Sequence, residues 1–155
     1  MKKTIILLIA GLSSPQIYAQ DSHLNLALGV FDVNRSGSVM GQIEYVFAAD
    51  WAGFKPHVGL FFSSDSAGYV YGGVGHPFEI YDKWSITPSV SVGYYNQGAD
   101  IDLGYDVELY TQLKVEYQLE NEAKIGVGFA HISNHDMGDH NPGAETAYLS
   151  YSIGF

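Results

Sequence analysis

The sequence predicts an all-β protein, an eight-stranded antiparallel up-and-down transmembrane β-barrel, on three observations. Apolar and polar side chains alternate with a period of two from Leu24 to the last residue, and no stretch after Gln20 holds apolar residues at helical spacing. Large apolar residues crowd one row of each alternating segment, while Gly, Ser, Ala and Thr dominate the other. Tyr151, Ile153 and terminal Phe155 carry the alternation up to the carboxylate, resembling the C-terminal signature by which outer-membrane barrels are recognised for insertion.

Composition sets the frame for these strands. A chain of 155 residues with 46% apolar, 14% aromatic and 15% charged residues fits one domain. Seven Lys and Arg against 17 Asp and Glu leave a formal charge of −10, the wrong sign for a phosphate backbone, so no nucleic-acid partner is expected. The absence of cysteine removes disulfides, Cys-ligated zinc, a thiol nucleophile and a lipoprotein anchor. At the N-terminus, Lys2 and Lys3 precede the apolar run Ile5 to Leu12, Pro15 breaks it, and Ile17-Tyr18-Ala19 offers a cleavage site before Gln20. Residues 1–19 therefore read as a signal peptide and residues 20–155 as a single barrel domain, since the apolar run is well short of the roughly 20 residues that span a bilayer as a helix.

The strands follow in order. Leu24 to Val30, Val39 to Phe47 and Phe54 to Phe62 alternate, and Tyr69 to Ile80 does so least cleanly. From Trp84 to Tyr94 the even positions are Trp, Ile, Pro, Val, Val and Tyr against Ser, Thr and Gly. The next segment, Leu103 to Leu119, is the clearest: Leu103, Tyr105, Val107, Leu109, Leu113, Val115 and Tyr117 alternate with Asp106, Glu108, Gln112, Lys114 and Glu116. Ile125 to Phe129 and Ala147 to Phe155 close the chain. Turns rich in Gly, Asn, Asp, Ser and Pro separate them at Asn34 to Gly37, Ala48 to Gly53, Ser63 to Ala67, Tyr81 to Lys83, Gln97 to Asp102, Glu120 to Glu122 and Asn134 to Pro142.

The size of the side chains decides which row faces in. The interior of an eight-stranded barrel is just wide enough to be filled by side chains, so the small row is expected inside and the large apolar row outside. A continuous outward apolar surface is stable only in lipid, which places the chain in the bacterial outer membrane. Trp51 and Trp84 then fall near periplasmic turns, where an aromatic belt is expected. With both termini periplasmic, the last hairpin tip lies at the outer surface.

The outward rows of the last two strands are interrupted. One reads Ile125, Val127, Phe129, His131, Ser133; the other reads Glu145, Ala147, Leu149, Tyr151, Ile153, Phe155. If the hairpin is symmetric about Gly138, His131 faces Glu145, Phe129 faces Ala147 and Ser133 faces Gly143. Same-face residues two apart lie about 6.5–7 Å apart along a strand, and cross-strand pairs about 4.5–5.5 Å apart. An imidazole there reaches a hydroxyl on one side and a carboxylate on the other: nucleophile, base and orienter in order. A carboxylate on the outer wall is tolerable near the rim, where burying a charge costs about 0–1 kcal/mol, and that is the depth of lipid ester bonds.

Phe129-Ala130-His131-Ile132-Ser133-Asn134 followed by Asn141-Pro142-Gly143-Ala144-Glu145 resembles the signature of the lipid A deacylases of the PagL type, H-x-S-N and N-P-G-x-E with fourteen residues from His to Glu. The barrel pattern extends the resemblance over the mature chain. It implies a catalytic triad of His131, Ser133 and Glu145, and hydrolysis of the ester-linked acyl chain at the 3-position of lipid A with release of a 3-hydroxy fatty acid. It also implies lipopolysaccharide in the outer leaflet as partner, and no metal or other cofactor. Asn134 and Asn141 flank the nucleophile and are alternative oxyanion donors, by side chain or by a loop N–H. Gly138 and Gly143 let the loop turn.

Other features carry less. His135, Asp136, Asp139 and His140 match no closed metal-site spacing and read as a solvated acidic loop. Inward Glu44, Asp106, Glu108, Lys114 and Glu116 read as a hydrogen-bonded barrel interior. Gly72, Gly73 and Gly75 lack the strand–loop–helix setting of a phosphate loop. Two other functions fit the same strands: a non-catalytic small outer-membrane barrel for adhesion or envelope integrity, and a soluble secreted barrel that binds a lipid. A homodimer is left open.

Overall fold

The computed structural model describes residues 22–35 and 37–155, and the signal-peptide reading of residues 1–19 lies outside them. The strands are β1 (His23–Phe31), β2 (Ser38–Val46), β3 (Lys55–Ser63), β4 (Gly68–Gly75), β5 (Phe78–Tyr81), β6 (Trp84–Asn96), β7 (Val107–Gln118), β8 (Lys124–Ser133) and β9 (Ala144–Gly154). Consecutive strands pair antiparallel except β4 with β5; β4 pairs instead with β6, and β1 pairs with β9, so the sheet closes on itself as an up-and-down barrel.

The ring has eight staves because β4 and β5 form one. Gly75 faces Ser89 and Phe78 faces Ile86 in an unchanged register across a gap in the ladder at His76 and Pro77; the register shifts by one only further on, between Glu79 and Tyr81. The alternation predicts a single strand from Tyr69 to Ile80. It breaks because Pro77 has no N–H to donate, and Pro88, which meets His76 in that register, has none either. One bond survives across the gap, from His76 N to the Pro88 carbonyl at 3.0 Å.

The alternation sorts side chains as the sequence leads one to expect. On β7 the even residues from Glu108 to Glu116 are buried, while Val107, Thr111 and Leu113 are exposed. Around the ring Leu28, Val39, Ile43, Val58, Phe62, Val70, Val90, Val92, Val127, Phe129 and Leu149 are large, apolar and exposed. Water gives such a wall no stability, whereas in hydrocarbon it is the stable surface, and closure of the sheet through the β1–β9 and β4–β6 pairings satisfies the backbone of the long staves.

Two sequence expectations need correcting. The stave expected to begin at Leu103 begins at Val107 instead. Leu103 is fully buried beneath the loop 97–106, and Asp106, expected inside, is exposed. Gly104 in that loop has φ +86°, a left-handed conformation that breaks the extended backbone just before Val107. The lumen, moreover, is not lined by small residues alone: Phe31, Met40, Phe61, Tyr69, Tyr71, Tyr95, Tyr110 and Tyr148 are all buried in it. The small residues are the seats for these rings. A Cβ at inward Gly128 would lie 2.1 Å from the Tyr148 ring, and one at Gly59 would lie 2.4 Å from the Tyr71 ring. In both cases the glycine and the ring are directly opposed on neighbouring strands, so small and large residues pair side by side on the inner wall and each depends on the other.

Toward the end where the chain enters β1, the filling becomes polar. Glu44 accepts hydrogen bonds from Asn25 (2.9 Å), the Tyr71 hydroxyl (3.1 Å) and Gln112 (3.3 Å). Lys114 Nζ lies 3.8 Å from Glu44 and 3.5 Å from Glu116. The pairing compensates charges that would otherwise be costly to bury. The rigid tube that results presents the ends of β8 and β9 at a fixed height and face.

Gly128→Val is expected to destabilise the barrel by about 1–3 kcal/mol, because the added branches overlap the Tyr148 ring. Urea unfolding in lipid vesicles measures it, and an unchanged midpoint would contradict the packing described.

Candidate active site on the outer wall

The cross-strand pairing of β8 with β9 runs from Lys124 opposite Ser152 to Ile132 opposite Ala144, and it sets His131 directly opposite Glu145 and Phe129 opposite Ala147. This is the register expected from a hairpin symmetric about Gly138. His131 Nδ1 lies 3.3 Å from Glu145 Oε1, with the two side chains 44% and 26% exposed, so the pair sits on the outside of the wall rather than in the lumen. Ser133 ends β8 and shares the outward row with His131. Its hydroxyl is not hydrogen bonded to the ring in this structure; strand alternation alone brings the two to the same face. Because Nδ1 is turned to the carboxylate, Nε2 is the ring nitrogen left for another partner.

The surroundings are apolar below and polar above. Thr111 and Leu109 on β7 face His131 and Ser133, and Val30 on β1 faces Ala147. Ala147, a short side chain, lies between Val30 and Phe129 in the outward row directly beneath the His131–Glu145 pair. Above, the chain turns through residues 134–143. Gly143 has φ +57°, and a Cβ there would stand 2.7 Å from His131 Cε1, so the glycine backbone lies against the edge of the imidazole.

The two asparagines differ in what they have left to offer. Asn134 is fully buried and turned away from the His131 row, and its side-chain amide donates both to the Leu103 carbonyl at 2.6 Å and to the His140 carbonyl at 2.7 Å. Its backbone N–H donates to Asn141 Oδ1 at 3.2 Å. Asn134 therefore ties the last hairpin to the loop before β7 and has no proton to spare. Asn141 caps the amide next to Ser133 and uses one side-chain N–H on Asp136 Oδ1, at 3.3 Å. His135, Asp136, Asp139 and His140 do not converge: among the described residues no group of three or more His, Asp or Glu is placed to hold a metal ion.

Two residues that sequence reasoning leaves in a turn also reach the site. Asn34 Nδ2 donates to Glu145 Oε2 at 2.6 Å, and Val33 N donates to the Glu145 carbonyl at 3.0 Å. Arg35 is held by Asp32 at 3.0 Å and donates to the Gly143 carbonyl. The signal that finds them is barrel closure, which makes the first strand a neighbour of the last; the register of that closure, Phe31 opposite Thr146, is what carries residues 33–35 past Glu145.

A closed barrel with an apolar exterior, carrying an outward His–Glu pair with a serine in the same row, defines an outer-membrane barrel with a polar cluster in its wall. The family model for lipid A 3-O-deacylase (PagL) matches residues 34–154. The chain belongs to that family, and its place is the bacterial outer membrane. The crystal structure of the outer membrane enzyme PagL superposes with a TM-score of 0.71 at 16% identity, covering 86% of this chain and 99% of that one. Neisserial surface protein A superposes at 0.61 with 10% identity, covering 90% and 99%. A designed transmembrane β-barrel superposes at 0.66 with 9% identity, covering 92% and 100%. No curated protein sequence matches the chain.

Gly143→Ala is expected to cost about 1–2 kcal/mol from its left-handed backbone and to push the imidazole off Glu145. Unfolding midpoints together with the ring ¹⁵N shifts of His131 report both effects. Unaltered ring shifts would contradict the contact.

Proposed function

We propose that the chain is an outer-membrane esterase that removes the ester-linked acyl chain at the 3-position of lipid A, releasing a 3-hydroxy fatty acid, with Ser133 as nucleophile, His131 as general base and Glu145 as its orienting carboxylate. The observation that carries the reading is the 3.3 Å contact of His131 Nδ1 with Glu145 on the lipid-facing wall, with Ser133 next in the same row. Family membership supplies the substrate class.

A serine hydroxyl is a poor nucleophile until a base takes its proton, and the carboxylate fixes the imidazole tautomer that leaves Nε2 free to do so. Ser133 Oγ bonds to the ester carbonyl carbon as its proton passes to His131 Nε2. The tetrahedral intermediate collapses, the bond to the sugar oxygen breaks, and that oxygen takes the proton from Nε2. Water then attacks the acyl-serine, giving its proton to the same nitrogen. Collapse releases the hydroxy acid and returns the proton to Ser133. Glu145 stabilises the imidazolium in both halves. A bilayer brings the substrate laterally, and the acyl chain lies against outward Ala147, Phe129 and Val30 beneath the carbonyl.

For the oxyanion, Asn141 is the better placed asparagine. It sits on the amide following Ser133 and keeps a side-chain N–H uncommitted, whereas the Asn134 amide is fully engaged. The homodimer left open by the sequence has no support in these observations and no part in the reading.

Ser133→Ala is expected to lower release of 3-hydroxy fatty acid from purified lipid A by on the order of 10⁴-fold or more, while the heat-modifiable barrel persists. Mass spectrometry of the released acid measures it, and undiminished release removes the serine mechanism. Asn141→Ala is expected to reduce kcat by about 10²–10³-fold. A variant with full kcat would assign the oxyanion donor elsewhere.

A further inference from the structure

The β1–β2 loop has no part in the mechanism above, yet it makes the shortest contact to the proposed orienting carboxylate. Glu145 has two oxygens and two partners: Oε1 faces His131 Nδ1 at 3.3 Å, and Oε2 accepts from Asn34 Nδ2 at 2.6 Å. We propose that Asn34 is a positioning residue of the site, whose carboxamide holds Glu145 in the rotamer that presents Oε1 to His131. The inference rests on the catalytic reading of His131, Ser133 and Glu145 and extends it to a residue outside the last hairpin.

The need for such a partner follows from where Glu145 stands. It is next to the first residue of β9, close to a glycine with left-handed backbone, and on the wall facing lipid. A flexible carboxylate there has several staggered rotamers and no packed core to select among them. A donor on its far oxygen selects one. An amide is suited to this because it donates to a carboxylate without carrying a positive charge that would draw the carboxylate away from the imidazole.

The loop that carries Asn34 is fastened independently of that bond. Val33 N donates to the Glu145 carbonyl at 3.0 Å, continuing the β1–β9 ladder one step past Phe31. Arg35 is pinned to Asp32 at 3.0 Å, which is itself buried, and reaches the Gly143 carbonyl on the other side of the site. Asn34 thus lies between two anchors, and Gly143, gripped by Arg35, rests on the His131 ring. The loop holds the carboxylate from one side and the backbone beside the imidazole from the other.

The test is steady-state kinetics of the full barrel in detergent or vesicles, with purified lipid A as substrate and the hydroxy acid quantified by mass spectrometry. Asn34→Ala is expected to lower kcat by about 10–100-fold with KM within about twofold, the range for losing a hydrogen bond to a charged group. Asn34→Asp keeps the size and the turn-forming capacity of asparagine but replaces the donor by a second carboxyl group. Positioning through Nδ2 therefore predicts that it is no better than alanine. A purely structural role in the loop predicts the opposite, near-complete retention of activity in Asn34→Asp, and that result would overturn the proposal. Heat-modifiable mobility and unfolding midpoints are measured for each variant, and a loss of activity matched by loss of the folded barrel also overturns it. Ser133→Ala is run alongside. If it is inactive while both Asn34 variants keep the unsubstituted kcat, only this inference fails; if it is active, the reading of the site fails first.

Discussion

The antiparallel pairing of β8 with β9 is the constraint on which the rest depends. Side chains alternate across a strand, so a slip of one residue in this pairing would carry one row of the hairpin to the other face. In the register observed, His131 and Glu145 meet outside, and their strand neighbours Ile132 and Ala144 are fully buried inside. Nothing local to the three site residues enforces that choice. It is enforced by the lumen, where Ala130, Ile132, Thr146 and Tyr148 fill space that His131 or Glu145 would fill badly, and by lipid, which takes Phe129 and Leu149. The site is placed by the packing of its neighbours.

As the catalytic site we propose, this arrangement inverts the usual geometry of a hydrolase. A soluble enzyme encloses its triad in a cleft and brings substrate out of water, whereas here the barrel interior is occupied by rings and a charged network and offers no route to Ser133. In the reading proposed above, the substrate surface is the surrounding membrane. On that reading the acyl chain is already in hydrocarbon, and what the protein adds is a reacting group at the depth of the ester. The polar loops above then serve as scaffolding: Asn134 ties the last hairpin to residues 103 and 140, and the β1–β2 loop reaches across the closing seam to Glu145 and Gly143.

Much of this is legible in the residues. Period-two alternation locates each stave to within a few positions and fixes the parity that keeps both greasy rows of β8 and β9 outside, and a hairpin symmetric about Gly138 then places His131 opposite Glu145. The departures have physical causes of their own. Leu103 continues an alternating pattern, but the loop's left-handed glycine ends the extended backbone, and periodicity carries no information about φ. The tyrosine-filled lumen escapes the pattern because small inward residues look like the lining itself, when they are seats for rings from neighbouring strands. Asn34 and Arg35 look like turn residues because their partners lie 108 to 111 positions away, across a seam whose register no local pattern encodes.

The most direct measurement is the contact of hydrocarbon with this row of side chains. In a barrel folded in lipid nanodiscs, proton-labelled at His131 and Ile132 in an otherwise deuterated chain, the observed register predicts nuclear Overhauser effects from acyl-chain methylenes to the His131 ring and none to Ile132. The reverse pattern, with Ile132 against lipid and His131 shielded, would mean that the strands pair one residue out of step, and an outward-facing site would be contradicted at its base.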